Sequence, residues 1–73
     1  MITVYTTKTC SQCKMVKRLL GVWKIDYEVV DLTDNLDLWA EVAKKAGGNN
    51  VPITTNGKDY VIGYNPIKIR ALA

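Results

Sequence analysis

The sequence contains no histidine, and only two of its 73 residues are cysteine. Without histidine the chain lacks the side chain that most often serves as a general base and as a metal ligand. Small secreted domains use several disulfides to support a small core, whereas Cys10 and Cys13 can close only one short loop. Chain-entropy estimates give such a loop about 2 kcal/mol of stabilisation. The composition therefore argues against a disulfide-stapled secreted domain.

Long apolar runs and strong charge are also missing. No stretch approaches the roughly 20 apolar residues that cross a bilayer, and residues 1–5 form a strand-like segment without the basic and apolar regions of a signal peptide. The net charge of +3 gives little support to nucleic-acid binding. The length suits one domain, 1–73, with no room for an enclosed cofactor cavity. We therefore expect a monomeric cytoplasmic protein with no bound cofactor, no metal, no nucleic acid and no membrane partner.

Two periodicities divide the chain into strands and helices. Runs of β-branched and aromatic residues predict strands at 2–6, 27–32, 51–55 and 59–62, and apolar residues at helical spacing predict helices at 11–23, 34–46 and 66–72. The crossover between the first two strands suits a parallel pair, and Asn56-Gly57 predicts a hairpin between the last two. The order β-α-β-α-β-β-α predicts an α/β fold, in which three helices flank both faces of a four-stranded mixed sheet.

The apolar faces of the helices predict how they pack. The first helix is expected to bury one apolar face, formed by Val16, Leu19, Leu20 and Trp23. The second helix turns five apolar residues toward the sheet, namely Leu36, Trp39, Ala40, Ala43 and Ala46. Three cations of the first helix lie outside its stripe and form either a solvated face or a guide for an acidic partner. They are Lys14, Lys17 and Arg18.

Capping residues predict where the last two helices begin. Thr33 or Asp34 can accept the first N–H groups of the second helix. Asn65 followed by Pro66 predicts an N-cap and a first helical residue for the last helix.

The two cysteines form a Cys-x-x-Cys motif at the junction of the first strand and the first helix. The N-terminus of a helix offers unpaired N–H groups and a partial positive charge, which stabilise a thiolate. A free thiol with a pKa near 8.5 is only about 3% ionised at pH 7, and a pKa near 7 makes it roughly half ionised. Cys10 lies at the cap and is the expected nucleophile, and Cys13 lies on the inward stripe and is the expected resolving thiol. Both are catalytic candidates for thiol–disulfide exchange.

Other roles for a close cysteine pair remain open. An intrachain zinc site needs four ligands, and this chain has two cysteines and no histidine. A zinc ion or iron–sulfur cluster shared between two chains is an alternative, as is an inert buried pair.

The whole pattern resembles the glutaredoxin-like proteins, and most closely the NrdH-redoxins. The resemblance runs from I-T-V-Y-T-T and T-C-S-Q-C through D-Y-E-V-V-D-L and V-P-I to the ending G-Y-N-P-I-K-I-R-A-L. It implies a thioredoxin fold and a dithiol reductase that accepts electrons from thioredoxin reductase. The implied acceptors are class Ib ribonucleotide reductase or other disulfide-containing proteins. A glutathione-dependent dithiol glutaredoxin is the alternative within the same chemistry.

The resemblance also implies which residues surround the cysteines. It implies a cis bond before Pro52, with Pro52 facing the cysteines and Val51 offering backbone hydrogen bonds to a bound peptide. The remaining expected substrate-binding residues are Lys8, Ser11, Gln12, Gly63 and Tyr64. The family usually has Lys-Pro three and two residues before the first cysteine and often Trp-Ser-Gly-Phe-Arg-Pro near its end. This chain has Thr-Lys and Val-Ile-Gly-Tyr-Asn-Pro at these places.

Overall fold

The computed structural model describes residues 1–73 and has the predicted order of elements. The strands are β1 (Ile2–Thr6), β2 (Tyr27–Asp31), β3 (Ile53–Thr55) and β4 (Tyr60–Ile62). The helices are α1 (Ser11–Val22), α2 (Leu36–Ala46) and α3 (Pro66–Leu72). None of the helices has the length and apolar character needed to span a bilayer.

The four strands form one mixed sheet in the order β2-β1-β3-β4. β1 runs parallel to β2, antiparallel strands β3 and β4 form the hairpin, and β3 pairs antiparallel with β1. The α/β fold with a four-stranded mixed sheet and three helices is therefore confirmed. This element order and strand order agree with the thioredoxin fold that the family resemblance implies.

One face of the sheet carries the main core. Alternate residues of β1 point to this face, and α1 contributes Val16 and Leu20 at helical spacing. The buried cluster consists of Ile2, Val4, Val16, Leu20, Val61, Ile69 and Leu72. Trp23 packs against this cluster as predicted, and the Arg70 guanidinium lies 5.0 Å from the centre of its ring.

The opposite face packs against α2. The strand register places Tyr5, Ile53 and Ile62 side by side on this face. A methyl group at Gly48, just after α2, would lie 2.9 Å from the Ile62 Cδ1 atom, so the chain closes tightly here. The predicted packing of helices on both faces is thus present.

The inward face of α2 agrees with the predicted one at Trp39, Ala43 and Ala46, which are half-buried, and differs from it at Leu36 and Ala40. Leu36 is 71% exposed and Ala40 is exposed, whereas Val42 is buried. The sequence contains two overlapping apolar stripes, and the structure uses the one centred on Val42. Trp39 is half-buried, and its indole N–H donates to the Asn49 carbonyl at 2.9 Å.

The start of α2 also corrects the prediction that Thr33 or Asp34 caps this helix. Asn35 is the N-cap, and its side-chain oxygen accepts the Leu38 N–H at 3.2 Å. Thr33 does not cap α2, because its hydroxyl accepts the backbone N–H of Lys8 instead. The caps of α3 follow the prediction, with Asn65 accepting the Lys68 N–H at 3.2 Å.

The β3–β4 hairpin has a longer loop than a two-residue turn. Asp59 precedes β4, and Val51 and Pro52 precede β3, although all three residues were predicted within strands. The Asn56 side-chain oxygen accepts the N–H groups of Lys58 and Asp59, which fixes the loop.

Two neighbouring threonines of β3 yield a stability prediction. Thr54 is fully buried between Val4 and Val61, and its hydroxyl has no hydrogen-bond partner. The buried Thr55 hydroxyl donates to the Asp59 carbonyl at 2.8 Å and accepts the Gly57 N–H at 3.0 Å.

We expect Thr54→Val to raise the free energy of unfolding by about 1 kcal/mol, because it removes an unpaired buried hydroxyl and keeps the shape. Thr55→Val serves as the matched control and should lower it by about 1–3 kcal/mol. Urea denaturation of both variants measures the difference. Equal destabilisation by the two substitutions would contradict the packing described for Thr54.

Candidate active site

The site begins where β1 ends and α1 starts. Cys10 has an extended backbone (φ −98°, ψ 108°) and is the N-cap residue of α1. Its sulfur accepts the backbone N–H of Cys13 at 3.2 Å, in the position normally taken by a serine or aspartate oxygen. A sulfur in this place receives a hydrogen bond and the positive end of the helix dipole, and both favour its thiolate.

The two cysteines differ in exposure. They form a disulfide, with Cα atoms 5.3 Å apart. Cys13 is only 1% exposed, because it lies one turn before Val16 on the buried stripe of α1. Cys10 is partly exposed at the end of the helix. Cys10 is therefore the more accessible of the two cysteines.

A second loop lies opposite the cysteine motif. The Val51–Pro52 peptide bond is cis, as the family resemblance implied, and Pro52 is fully buried. The Pro52 carbonyl accepts the Gly63 N–H at 2.8 Å. Gly63 has a positive φ of 83°, and a methyl group there would lie 4.0 Å from the Gln12 Oε1 atom. The structure thus brings Gln12, Pro52 and Gly63 together.

A hydrogen bond and an ion pair connect the loop before Cys10 to the loop after β2. The Lys8 backbone N–H donates to the Thr33 hydroxyl at 3.1 Å, and the Lys8 ammonium lies 3.6 Å from the Asp34 carboxylate. Both side chains of this ion pair are largely exposed, so it contributes little to stability. The backbone bond is what positions the loop, and the sequence patterns did not identify Thr33 for this purpose.

Asp31, the last residue of β2, has a perturbed carboxyl group. Hydrogen bonds from the Thr33 hydroxyl and from the Thr33 backbone N–H hold the pKa of Asp31 below its usual value, and the charge of Lys8 adds to this effect. The N–H bond is 2.7 Å long. Asp31 therefore stays ionised and fixes the turn that presents Thr33 to Lys8.

The other predicted contact residues lie around this centre. Ser11 and Gln12 are exposed in the first turn of α1, and Val51 is half-buried beside Pro52. Tyr64 is 38% exposed and lines a groove along α1.

The chain brings together no group of three or more histidine, cysteine or acidic side chains that could hold a metal ion.

Comparison with known proteins gives consistent matches over the whole fold. A family model for glutaredoxins matches residues 2–61. The gene 56 protein of Mycobacterium phage D29 is 35% identical over 72 residues, which are 97% of this chain and 80% of that protein. The glutaredoxin-like protein NrdH of Lactococcus lactis subsp. cremoris is 32% identical over 76 residues, with both chains fully covered. The solved NrdH-redoxin from Escherichia coli has a TM-score of 0.81 at 29% identity and covers 99% of this chain and 93% of its own.

The Asp31 turn yields a pH prediction. A carboxyl whose pKa is lower in the folded state stabilises the fold above its ordinary pKa of about 3.9, and this contribution is lost as the pH falls through the folded-state pKa. Asp31→Asn should therefore lower stability at pH 7 and flatten the loss of stability below about pH 4. Urea denaturation between pH 2 and pH 7 (roughly the range in which carboxyl groups titrate) tests this.

Asp26→Asn is the matched control, because exposed Asp26 makes no side-chain hydrogen bond or ion pair. Identical pH profiles for the Asp31 and Asp26 variants would contradict the assignment.

Proposed function

This chain belongs to the glutaredoxin family and is a thiol–disulfide oxidoreductase, and we propose that it acts as an NrdH-type reductant of protein disulfides in the cytoplasm. In this proposal Cys10 is the nucleophile and Cys13 the resolving thiol. Thioredoxin reductase supplies the electrons, and class Ib ribonucleotide reductase or another disulfide-containing protein accepts them. The observation that carries the proposal is the partly exposed Cys10 at the start of α1 beside a buried Cys13.

The proposed exchange has two steps. The Cys10 thiolate attacks one sulfur of the substrate disulfide, forms a mixed disulfide and releases the other sulfur as a thiolate. The Cys13 thiolate then attacks the Cys10 sulfur, re-forms the Cys10–Cys13 disulfide and releases the second substrate thiolate. Two electrons pass to the substrate, and its thiolates take up protons from water. The reductase reverses the change at Cys10–Cys13.

The loop before β3 supports binding of an extended peptide. The hydrogen bonds outside the helices and strands do not involve the backbone N–H or C=O of Val51. Because Val51 is half-buried next to Pro52, these groups can pair with a substrate strand. We assign Ser11, Gln12 and Gly63 to the walls around that strand.

The residues at the start of α3 favour protein disulfides over glutathione as the substrate. Glutathione is a small dianionic tripeptide whose binding calls for N–H donors or cations at this place. Pro66 has no N–H, and Asn65 already accepts the Lys68 N–H. In glutaredoxins that bind glutathione, a Gly-Gly pair commonly precedes this helix, and here Tyr64 replaces the second glycine. The Lys8 ammonium is paired with Asp34, which weakens its availability as a substitute.

The first functional prediction concerns the roles of the two cysteines. Cys10→Ser should abolish disulfide reductase activity, because the attacking sulfur is gone. Cys13→Ser should accumulate mixed disulfides with protein substrates, detectable by mass spectrometry and released by dithiothreitol. Each variant is the control for the other. If Cys10→Ser traps substrates and Cys13→Ser does not, the roles are reversed.

The second concerns the electron donor. Thioredoxin reductase should reduce this protein far faster than glutathione does. Two coupled assays follow NADPH oxidation, one with thioredoxin reductase and one with glutathione and glutathione reductase. Comparable or faster turnover with glutathione would instead indicate a glutathione-dependent glutaredoxin and would leave the cysteine chemistry unchanged.

A further inference from the structure

Several exposed apolar side chains line one groove along α1. A groove of about 400 Å³ runs along the outer side of α1 and is lined by Lys14, Met15, Arg18, Leu19, Val22 and Tyr64. Seven large apolar side chains of the molecule are exposed, and three of them line this groove. Val22, at 71% exposure, makes the far end of the groove apolar. Exposed apolar patches with a polar rim mark sites of protein association.

The rim of the groove carries positive charge only. Helix α1 contains three cations and no acidic residue. Neither Lys14 nor Arg18 forms an ion pair, since the two ion pairs of the molecule are Lys8–Asp34 and Lys45–Glu41. In contrast, α2 mixes Asp37 and Glu41 with its lysines. The groove therefore offers two unpaired cations above an apolar floor.

The near end of the groove, at Lys14, lies about one helical turn from the reactive cysteine. Cys10, Lys14, Arg18 and Val22 follow one another at intervals of four residues and so lie along one side of the helix. At 1.5 Å per residue, the distance from Cys10 to Val22 is about 18 Å along the axis. An extended chain covers this distance with about five or six residues. A segment that begins at a cysteine bound to Cys10 can therefore lie along the whole groove.

Building on the proposed function, we propose that this groove docks a short acidic and apolar segment that flanks the reactive cysteine of the substrate protein. The carboxylates of the segment pair with Lys14 and Arg18, and its apolar side chains cover Met15, Val22 and Tyr64. A second copy of this chain fits poorly, because its own groove carries the same charge. The groove then selects among protein disulfides before the sulfur exchange takes place.

Symmetric peptide disulfides test the proposal directly. Each arm of the disulfide has a cysteine, a glycine spacer and a flanking segment of alternating leucine and glutamate. The flanking segment is N-terminal to the cysteine in one set of peptides and C-terminal to it in a second set. Two comparison peptides replace glutamate with lysine or leucine with serine. The rate at which pre-reduced protein is oxidised by each peptide is measured by acid quench and chromatography. In at least one flank orientation, the glutamate peptide should react about tenfold faster than the lysine peptide, with the ratio falling as salt is added.

Two variants with matched controls locate the effect. Lys14→Glu/Arg18→Glu should bring the glutamate-to-lysine ratio to one or below, whereas Lys44→Glu/Lys45→Glu makes the same change in net charge on α2 and should keep the wild-type ratio. Val22→Ser should reduce the leucine-to-serine ratio, whereas Leu36→Ser, also 71% exposed but on α2, should not. Ratios within one variant cancel any change in the reactivity of Cys10 itself.

Reaction with a small neutral disulfide distinguishes failure of the proposed function from failure of the groove proposal. If pre-reduced protein fails to reduce bis(2-hydroxyethyl) disulfide, the proposed function itself is wrong, and the docking groove falls with it. If it reduces this compound but treats all peptides alike, the dithiol chemistry stands and the groove proposal is overturned. The same conclusion follows if the α2 charge variant, rather than the α1 variant, removes the preference.

Discussion

The hydrogen bond from the Cys13 N–H to the Cys10 sulfur determines how the rest of the site is arranged. A helix start leaves several N–H groups without partners, and here the reactive sulfur itself supplies an acceptor. The location of the N-terminal end of α1 consequently fixes where the Cys10 sulfur lies. That end is held because Val16 and Leu20 are completely buried against β1 and its neighbours. Core packing, helix capping and thiolate stabilisation are therefore parts of one arrangement.

Backbone hydrogen bonds hold the loops that surround this helix end. The Gly63 N–H binds the Pro52 carbonyl, and the Lys8 N–H binds the Thr33 hydroxyl. Three of the four groups in these two bonds belong to the main chain, so the loops keep their places while most exposed side chains can vary. This accounts for a fold that is shared with relatives at about a third sequence identity or below. It also separates the common chemistry of the sulfurs from the variable surface beside them.

The order of elements, the mixed four-stranded sheet and the burial of Cys13 could be predicted from the sequence, because each depends on a strong local pattern. Strand and helix periodicities differ clearly in β1 and α1, and the stripe of α1 gives the burial of Cys13. The face of α2 was ambiguous, since Leu36 and Val42 belong to two overlapping apolar stripes. Its cap was ambiguous too, because three consecutive residues have capping side chains and only tertiary contact with Lys8 removes Thr33 from the choice. The groove depends on which side chains remain uncovered, and local patterns do not contain this information.

Specificity in such a small protein has to come from its surface. Disulfide exchange requires only an accessible thiolate and a resolving thiol, and in the proposed function Cys10 at the N-cap and Cys13 in the first turn of α1 supply them. The start of α3 has few free donors for a small anion, because Pro66 lacks an N–H and Asn65 occupies the Lys68 N–H. The outer side of α1 has the opposite character, with unpaired cations along an extended apolar groove. A tripeptide is too short to span that groove, whereas a protein chain can cover it, so both surfaces agree with the proposal that the substrate is a protein disulfide.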